Sequence, residues 1–121
     1  MASPDLAMTR MPSLQAKPRF DAIDRMRTHA EDAAVLLRSV GNPQRLLILC
    51  ELVEGEVGVG ELLERLDLSQ SALSQHLAVL REAGLVRVRR VGVQAFYALQ
   101  DGPVRPLMRT LHAIYCEGEL R

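Results

Sequence analysis

A mainly helical α+β fold is predicted: a winged helix-turn-helix with five helices and a two-stranded β-hairpin, in the order α-α-α-α-β-β-α. Three observations predict it. Apolar residues recur at three- and four-residue steps through much of residues 20–66, the period of helices with one buried side. The stretch LSQSALSQHLAVLREAGL opens on polar residues and closes on Ala83-Gly84, the signature of a capped helix with a glycine stop. Residues Leu85–Leu99 then alternate in character around Gly92, as a hairpin does.

The elements follow in turn. Residues 1–19 hold Pro4, Pro12 and Pro18 without a sustained apolar period, which predicts a flexible arm ahead of a domain over residues 20–118. The first helix begins near Phe20 and carries a stripe of Ile23, Met26, Ala30, Ala33, Leu37 and Val40, with Gly41 as its stop. Asn42-Pro43 caps and starts the second helix. This helix runs through Leu46, Leu47, Ile48, Leu49 and Cys50 to Val53 and is apolar nearly all round, so a central position is expected. Residues Glu54–Gly58 read as a connector. A short third helix, about Val59–Leu66, presents Leu62, Leu63 and Leu66 inward. Ser69 caps the fourth helix, whose buried side is Leu73, Leu77 and Leu80. On a wheel of about 100° per residue, Ser71, Gln75, Ala78 and Glu82 fall opposite that side and Ser74 at its flank. Strands over Leu85–Arg89 and Gln94–Leu99 form the hairpin. A fifth helix from near Pro103 carries Val104, Leu107, Met108, Leu111, Ile114 and Tyr115 as a stripe.

Composition narrows the function classes. The chain has 121 residues and 48% apolar content with only 3% aromatics, so one core of aliphatic side chains is expected. No stretch approaches the roughly 18 unbroken apolar residues of a membrane span, and no signal-peptide core is seen; a cytoplasmic location without a membrane partner is the expectation. Net charge is zero, but its distribution is uneven. Residues 1–67 hold eight basic and eleven acidic side chains, whereas residues 68–100 hold Arg81, Arg87, Arg89 and Arg90 against Glu82 alone. Local positive potential of this kind suits a polyanion. No glycine-rich phosphate loop, Ser-His-Asp order or pair of acid/base carboxylates is apparent, so no enzyme is predicted. A sulfur transferase would have only His112, one helical turn from Cys116, in its support.

The third and fourth helices make a helix-turn-helix whose second member lies in the DNA major groove. Gln70, Ser71, Ser74 and Gln75 are the candidate readers of base edges and phosphates, since glutamine pairs bidentately with adenine and serine tolerates several bases. Small Ala78 permits close approach. His76 lies beside the apolar side and is a packing or phosphate-bonding candidate. Arg87, Arg89 and Arg90 bracket the hairpin tip, where they would follow phosphates or enter the minor groove. The same charges would also protect an edge strand.

These elements, in this order, resemble the ArsR family of winged-helix repressors, most closely in VGNPQRLLILCEL (residues 40–52) and LSQSALSQHLAVLREAGLV (residues 68–86). The resemblance implies a homodimer through the first and fifth helices. It also implies double-stranded operator DNA with an inverted repeat, its half-sites about one turn (roughly 34 Å) apart. Metal-sensing members hold a Cys-x-Cys at the start of the third helix, where this chain has glycines. Others hold an Asp/His set on the fifth helix, which here offers only His112, with Pro103 in place of the first histidine. No metal or cofactor is therefore expected. The two cysteines, Cys50 and Cys116, match those of the persulfide-responsive, BigR- and SqrR-like branch. That match implies a redox-sensing pair that reactive sulfur species join by a disulfide or polysulfide, releasing DNA and freeing genes of sulfide and sulfur detoxification. A thiophilic metal(loid) or a general oxidant as inducer, and an anti-silencer in place of a repressor, remain alternatives. Arg45, His112 and Tyr115 are possible neighbours of the thiols.

Overall fold

A computed structural model describes residues 21–117. The arm expected over residues 1–19, and the outermost residues of the domain expected over 20–118, lie outside the described residues. The chain divides at Ala34/Val35 into two units, taken separately below.

In the first unit, helix α1 (residues 21–27) is followed by a turn at residues 28–29 and the start of α2 (Ala30–Val40). The sequence predicts one continuous helix here; the structure breaks it. Thr28 Oγ1 donates to the Arg25 carbonyl at 3.0 Å, and the His29 amide donates to Met26 at 2.9 Å. A side-chain bond to the backbone and a tight i→i−3 turn thus displace the regular ladder.

The second unit continues α2 and adds α3 (Pro43–Glu51), β1 (Val57–Gly58), α4 (Val59–Arg65), α5 (Gln70–Glu82), β2 (Val86–Val91), β3 (Gln94–Leu99) and α6 (Val104–His112), which runs into a π-type turn at Ala113–Glu117. Among the described residues the fold is a mostly helical, winged-helix-like α+β arrangement with six helices and a three-stranded antiparallel sheet ordered β1-β3-β2. Two details correct the expected plan: six helices are found among the described residues, and the segment read as a connector contains strand β1. A two-residue strand shows no period of its own; it forms because Val57 and Gly58 pair with Tyr97 and Phe96 of the wing.

Local chemistry explains the helix boundaries. Asn42 Oδ1 accepts from the amides of Gln44 at 2.9 Å and Arg45 at 3.1 Å, and Pro43 opens α3, so the cap satisfies two otherwise unpaired donors. Ser69 Oγ accepts from the Ala72 amide at 3.1 Å and caps α5. At the other end Gly84 adopts φ +76. The Gly84 amide bonds Arg81 at 3.0 Å and the Leu85 amide bonds Leu80 at 2.9 Å, which is a Schellman stop. Gly92, φ +61, sits at the first central position of the two-residue hairpin turn, the place a type II′ turn reserves for glycine.

The core gathers Val40, Ile48, Leu49, Leu52, Leu62, Leu73, Leu77, Leu80, Leu85, Val86, Tyr97, Leu99, Val104 and Met108. Leu73, Leu77 and Leu80 are buried as the period predicts. Helix α3 is buried only on one side, with Leu47 and Cys50 exposed. The expected stripes on the outer helices are covered only in part: Val40, Val104 and Met108 are buried, whereas Ile23, Met26, Leu37, Ile114 and Tyr115 are exposed. Among the described residues, no helix is long and apolar enough to cross a membrane.

Candidate nucleic-acid interface and dithiol cleft

Burying Leu73, Leu77 and Leu80 of α5 turns Ser71, Ser74, Gln75 and Ala78 to solvent, and all four are exposed. Gln70, at the first turn, is exposed too, whereas His76 is half-buried beside the apolar side. A cleft of about 640 Å³ opens between α5 and the wing. Gln70 and Ser74 line it from the helix, Arg90 and Gln94 from the hairpin. Three of the eight residues predicted to meet DNA therefore share one concavity, with Ser71 and Gln75 farther along the same exposed side of α5.

The three wing arginines differ in what holds them. Arg87 Nη1 donates to the Leu99 carbonyl at 3.0 Å, and Arg105 Nη2 donates to the same oxygen at 2.9 Å. Arg89 is gripped by a carboxylate: its Nε donates to Glu56 Oε2 at 3.0 Å and its Nη2 to Glu56 Oε1 at 2.7 Å. Its guanidinium carbon lies 5.0 Å from the centre of the Phe96 ring. Hydrogen bonding from Arg89 holds the Glu56 carboxyl below its usual range. Arg90 forms no ion pair among the described residues.

A second cleft, of about 550 Å³, lies between α3 and the end of the chain's last helix. Cys50, in the last turn of α3, and Cys116, in the π-type turn, both line it, and both are free thiols. Arg65, Arg109 and His112 also border it, as do Glu51 and Glu117. Cys50 is exposed as a residue, yet the atoms packed about its thiol remove solvent and push its pKa above the ordinary value, with the Cys116 and Glu51 charges adding to the rise. Arg65 is committed to Glu51 at 2.8 Å and Glu61 at 2.7 Å. Of the three suggested thiol neighbours only His112 borders the cleft. Arg45 instead caps α2, donating to the carbonyls of Ser39 at 2.6 Å and Arg38 at 3.3 Å, and Tyr115 is exposed elsewhere.

Sequence reasoning missed Glu56, Phe96, Arg65 and Arg109. Arg109 was within reach, since 109, 112 and 116 follow helical spacing toward one side. The Glu56–Arg89 pair had no local signal, because its members meet only through the three-stranded sheet. Among the described residues, no group of three or more His, Cys, Asp or Glu side chains is placed to hold a metal ion.

Residues 42–88 match the model of the bacterial regulatory protein arsR family. The chain is 45% identical over 108 residues to the transcriptional activator HlyU of Vibrio cholerae, covering 89% of this chain and 98% of that protein. The structure of reduced HlyU from the same organism superposes with a TM-score of 0.73 at 48% identity, covering 76% of this chain and 97% of that one. The transcriptional repressor BigR from Xylella fastidiosa gives a TM-score of 0.72 at 42% identity, covering 77% and 95%. A possible ArsR-family regulator from Mycobacterium bovis, solved as a homodimeric winged helix-turn-helix DNA-binding domain, gives 0.68 at 26% identity over 79% of this chain and 89% of that one. The exposed polar side of α5, the wing beside it and these relatives lead to one conclusion: the chain belongs to the ArsR family and is a DNA-binding transcriptional regulator, not an enzyme.

Proposed function

We propose that this regulator is a dithiol-switched repressor that binds an inverted-repeat operator as a homodimer while Cys50 and Cys116 are reduced. Linking the two by reactive sulfur releases it and frees genes of sulfide and sulfur detoxification. The observation that carries this reading is the cleft that both cysteines line. Within it, a thiolate attacks the sulfane sulfur of a persulfide R–S–SH, giving Cys–S–SH and R–SH. The second thiol then attacks the protein-bound sulfur and expels hydrosulfide, leaving a disulfide. Persulfidation of both cysteines before closure leaves a trisulfide, again with loss of one hydrosulfide. A direct disulfide needs Cα atoms about 4.4–6.8 Å apart; inserted sulfur relaxes that demand. The bridge ties α3 to the end of the last helix and shifts a two-state equilibrium between DNA-binding and released dimers.

The DNA surface in this reading is the exposed side of α5, with Gln70, Ser71, Ser74 and Gln75 at base edges, His76 at the flank and the wing arginines 87, 89 and 90 beside the backbone. Dimerisation uses the apolar residues left exposed on α1, α2 and the final helix, within a domain spanning residues 20–118. The mycobacterial relative, solved as a homodimeric winged helix-turn-helix DNA-binding domain, supports the dimer and the DNA-binding role in this reading.

The test is duplex binding by reduced and persulfide-treated protein, with intact mass measured in parallel. Treated wild type is expected to lose operator binding, and its mass to fall by two hydrogens for the disulfide or to rise by one sulfur less two hydrogens for the trisulfide. Cys50→Ser and Cys116→Ser are expected to bind as reduced wild type does and to ignore the treatment. Equal affinity before and after treatment of the wild type overturns the switch. Release by arsenite or Cu(I), without response to persulfide, assigns the cleft to a soft ion.

A further inference from the structure

The wing's two adjacent tip-side arginines do different work, and the sheet shows why. Arg89 of β2 and Gly58 of β1 both pair with Phe96 of β3, so the three residues form one row across the sheet. Gly58 is small enough for the Phe96 ring to lie against it; a Cβ there would meet ring carbons at 3.3 and 3.4 Å. The Arg89 guanidinium stacks on that ring, and Glu56, two residues before Gly58, closes both ends of its fork. Ring, fork and carboxylate make a clasp that ties the wing to the strand leading directly into α4.

We infer that Glu56 and Arg89 form the wing's positioning pair, and that Arg90 alone carries the wing tip's phosphate contact. This rests on the DNA-binding reading above and deepens it. Moving Arg89 to a phosphate would break two charge-assisted hydrogen bonds. It would also leave the Glu56 carboxylate unpaired beside a polyanion. Arg90 faces no such loss: it has no ion pair among the described residues and borders the cleft shared with Gln70 and Ser74.

Binding of the full chain to a 30-base-pair duplex of mixed sequence, followed across a salt series, separates the two roles. Each phosphate contact adds about 0.9 to the slope of log affinity against log salt. Arg90→Gln is expected to lower that slope by about 0.9 per subunit. Arg89→Gln weakens binding about two- to tenfold, since it unpairs Glu56, an effect sized from exposed ion pairs and cation–π contacts. Adding Glu56→Gln to Arg89→Gln removes the unpaired carboxylate and regains part of the affinity, with the wild-type slope. A double variant whose slope falls as Arg90→Gln does, without regained affinity, overturns the inference.

A second measurement needs no variant in the complex. The Arg89 Nε–H resonance is expected to be protected in the free protein, to lose protection in Glu56→Gln, and to stay unmoved when duplex is added to wild type. Movement on binding, toward a phosphate-bonded shift, overturns the proposal. Wild type that fails to bind any duplex refutes the DNA reading itself, whereas binding with exchanged roles for residues 89 and 90 refutes only this division of labour.

Discussion

Cys50 is the residue whose chemistry the fold changes most plainly. Burial raises its thiol pKa, and the nearby Cys116 charge raises it further. The sign follows directly: at neutral pH Cys50 is held as the thiol, and its thiolate fraction grows only as pH climbs past the ordinary cysteine value. Alkylation of Cys50, followed by peptide mass against pH, is expected to show a midpoint above that of a free cysteine. In Cys116→Ser one cause of the rise is removed, so the midpoint drops but stays elevated, because burial is the larger cause. A midpoint at or below the free value would contradict the environment seen here. The resemblance to sulfur-responsive relatives singled out both cysteines from sequence. Arg65 escaped because its neighbourhood forms only when α3 and α4 pack; Arg109 was legible in the helical spacing of 109, 112 and 116 and was overlooked.

Helix ends were legible wherever their chemistry is local. Asn42-Pro43, Ser69 and Ala83-Gly84 announce their caps and stops within four residues, and each is found in place. Strand β1 was not legible, since two residues carry no alternation and its partners lie in the wing. The break at residues 28–29 was hidden by a helical stripe that runs through it, because periodicity does not report the Thr28 hydroxyl bonding the Arg25 carbonyl. The caps permit two stability predictions in urea at fixed protein concentration. Asn42→Ala is expected to cost about 1 kcal/mol, since two amides lose their acceptor. Gly84→Ala, at φ +76, is expected to cost about 1–2 kcal/mol, since a Cβ disfavours that backbone region. Midpoints lowered without a change in denaturant slope would bear these out.

At the scale of the whole molecule, the uncovered apolar residues matter most. Leu37, Ile114 and Tyr115 are among the large apolar side chains left exposed. Under the proposed dimer they are the surfaces that a second copy covers. Sedimentation at micromolar concentration is expected to give a dimer for the wild type and a monomer with intact helical content for Leu37→Glu with Ile114→Glu. A monomeric wild type would remove the basis for an inverted-repeat operator. The hairpin adds a constraint of another kind. Val91 pairs with Gln94 across a turn of only two residues, and side chains on a strand alternate sides without exception for a regular ladder. Lengthening the tip by a single residue while keeping β3 in place would turn Arg89 away from its ring and carboxylate and bring Arg90 toward them. Wings of this design are therefore free to grow by even increments, whereas an odd insertion needs a bulge to absorb it.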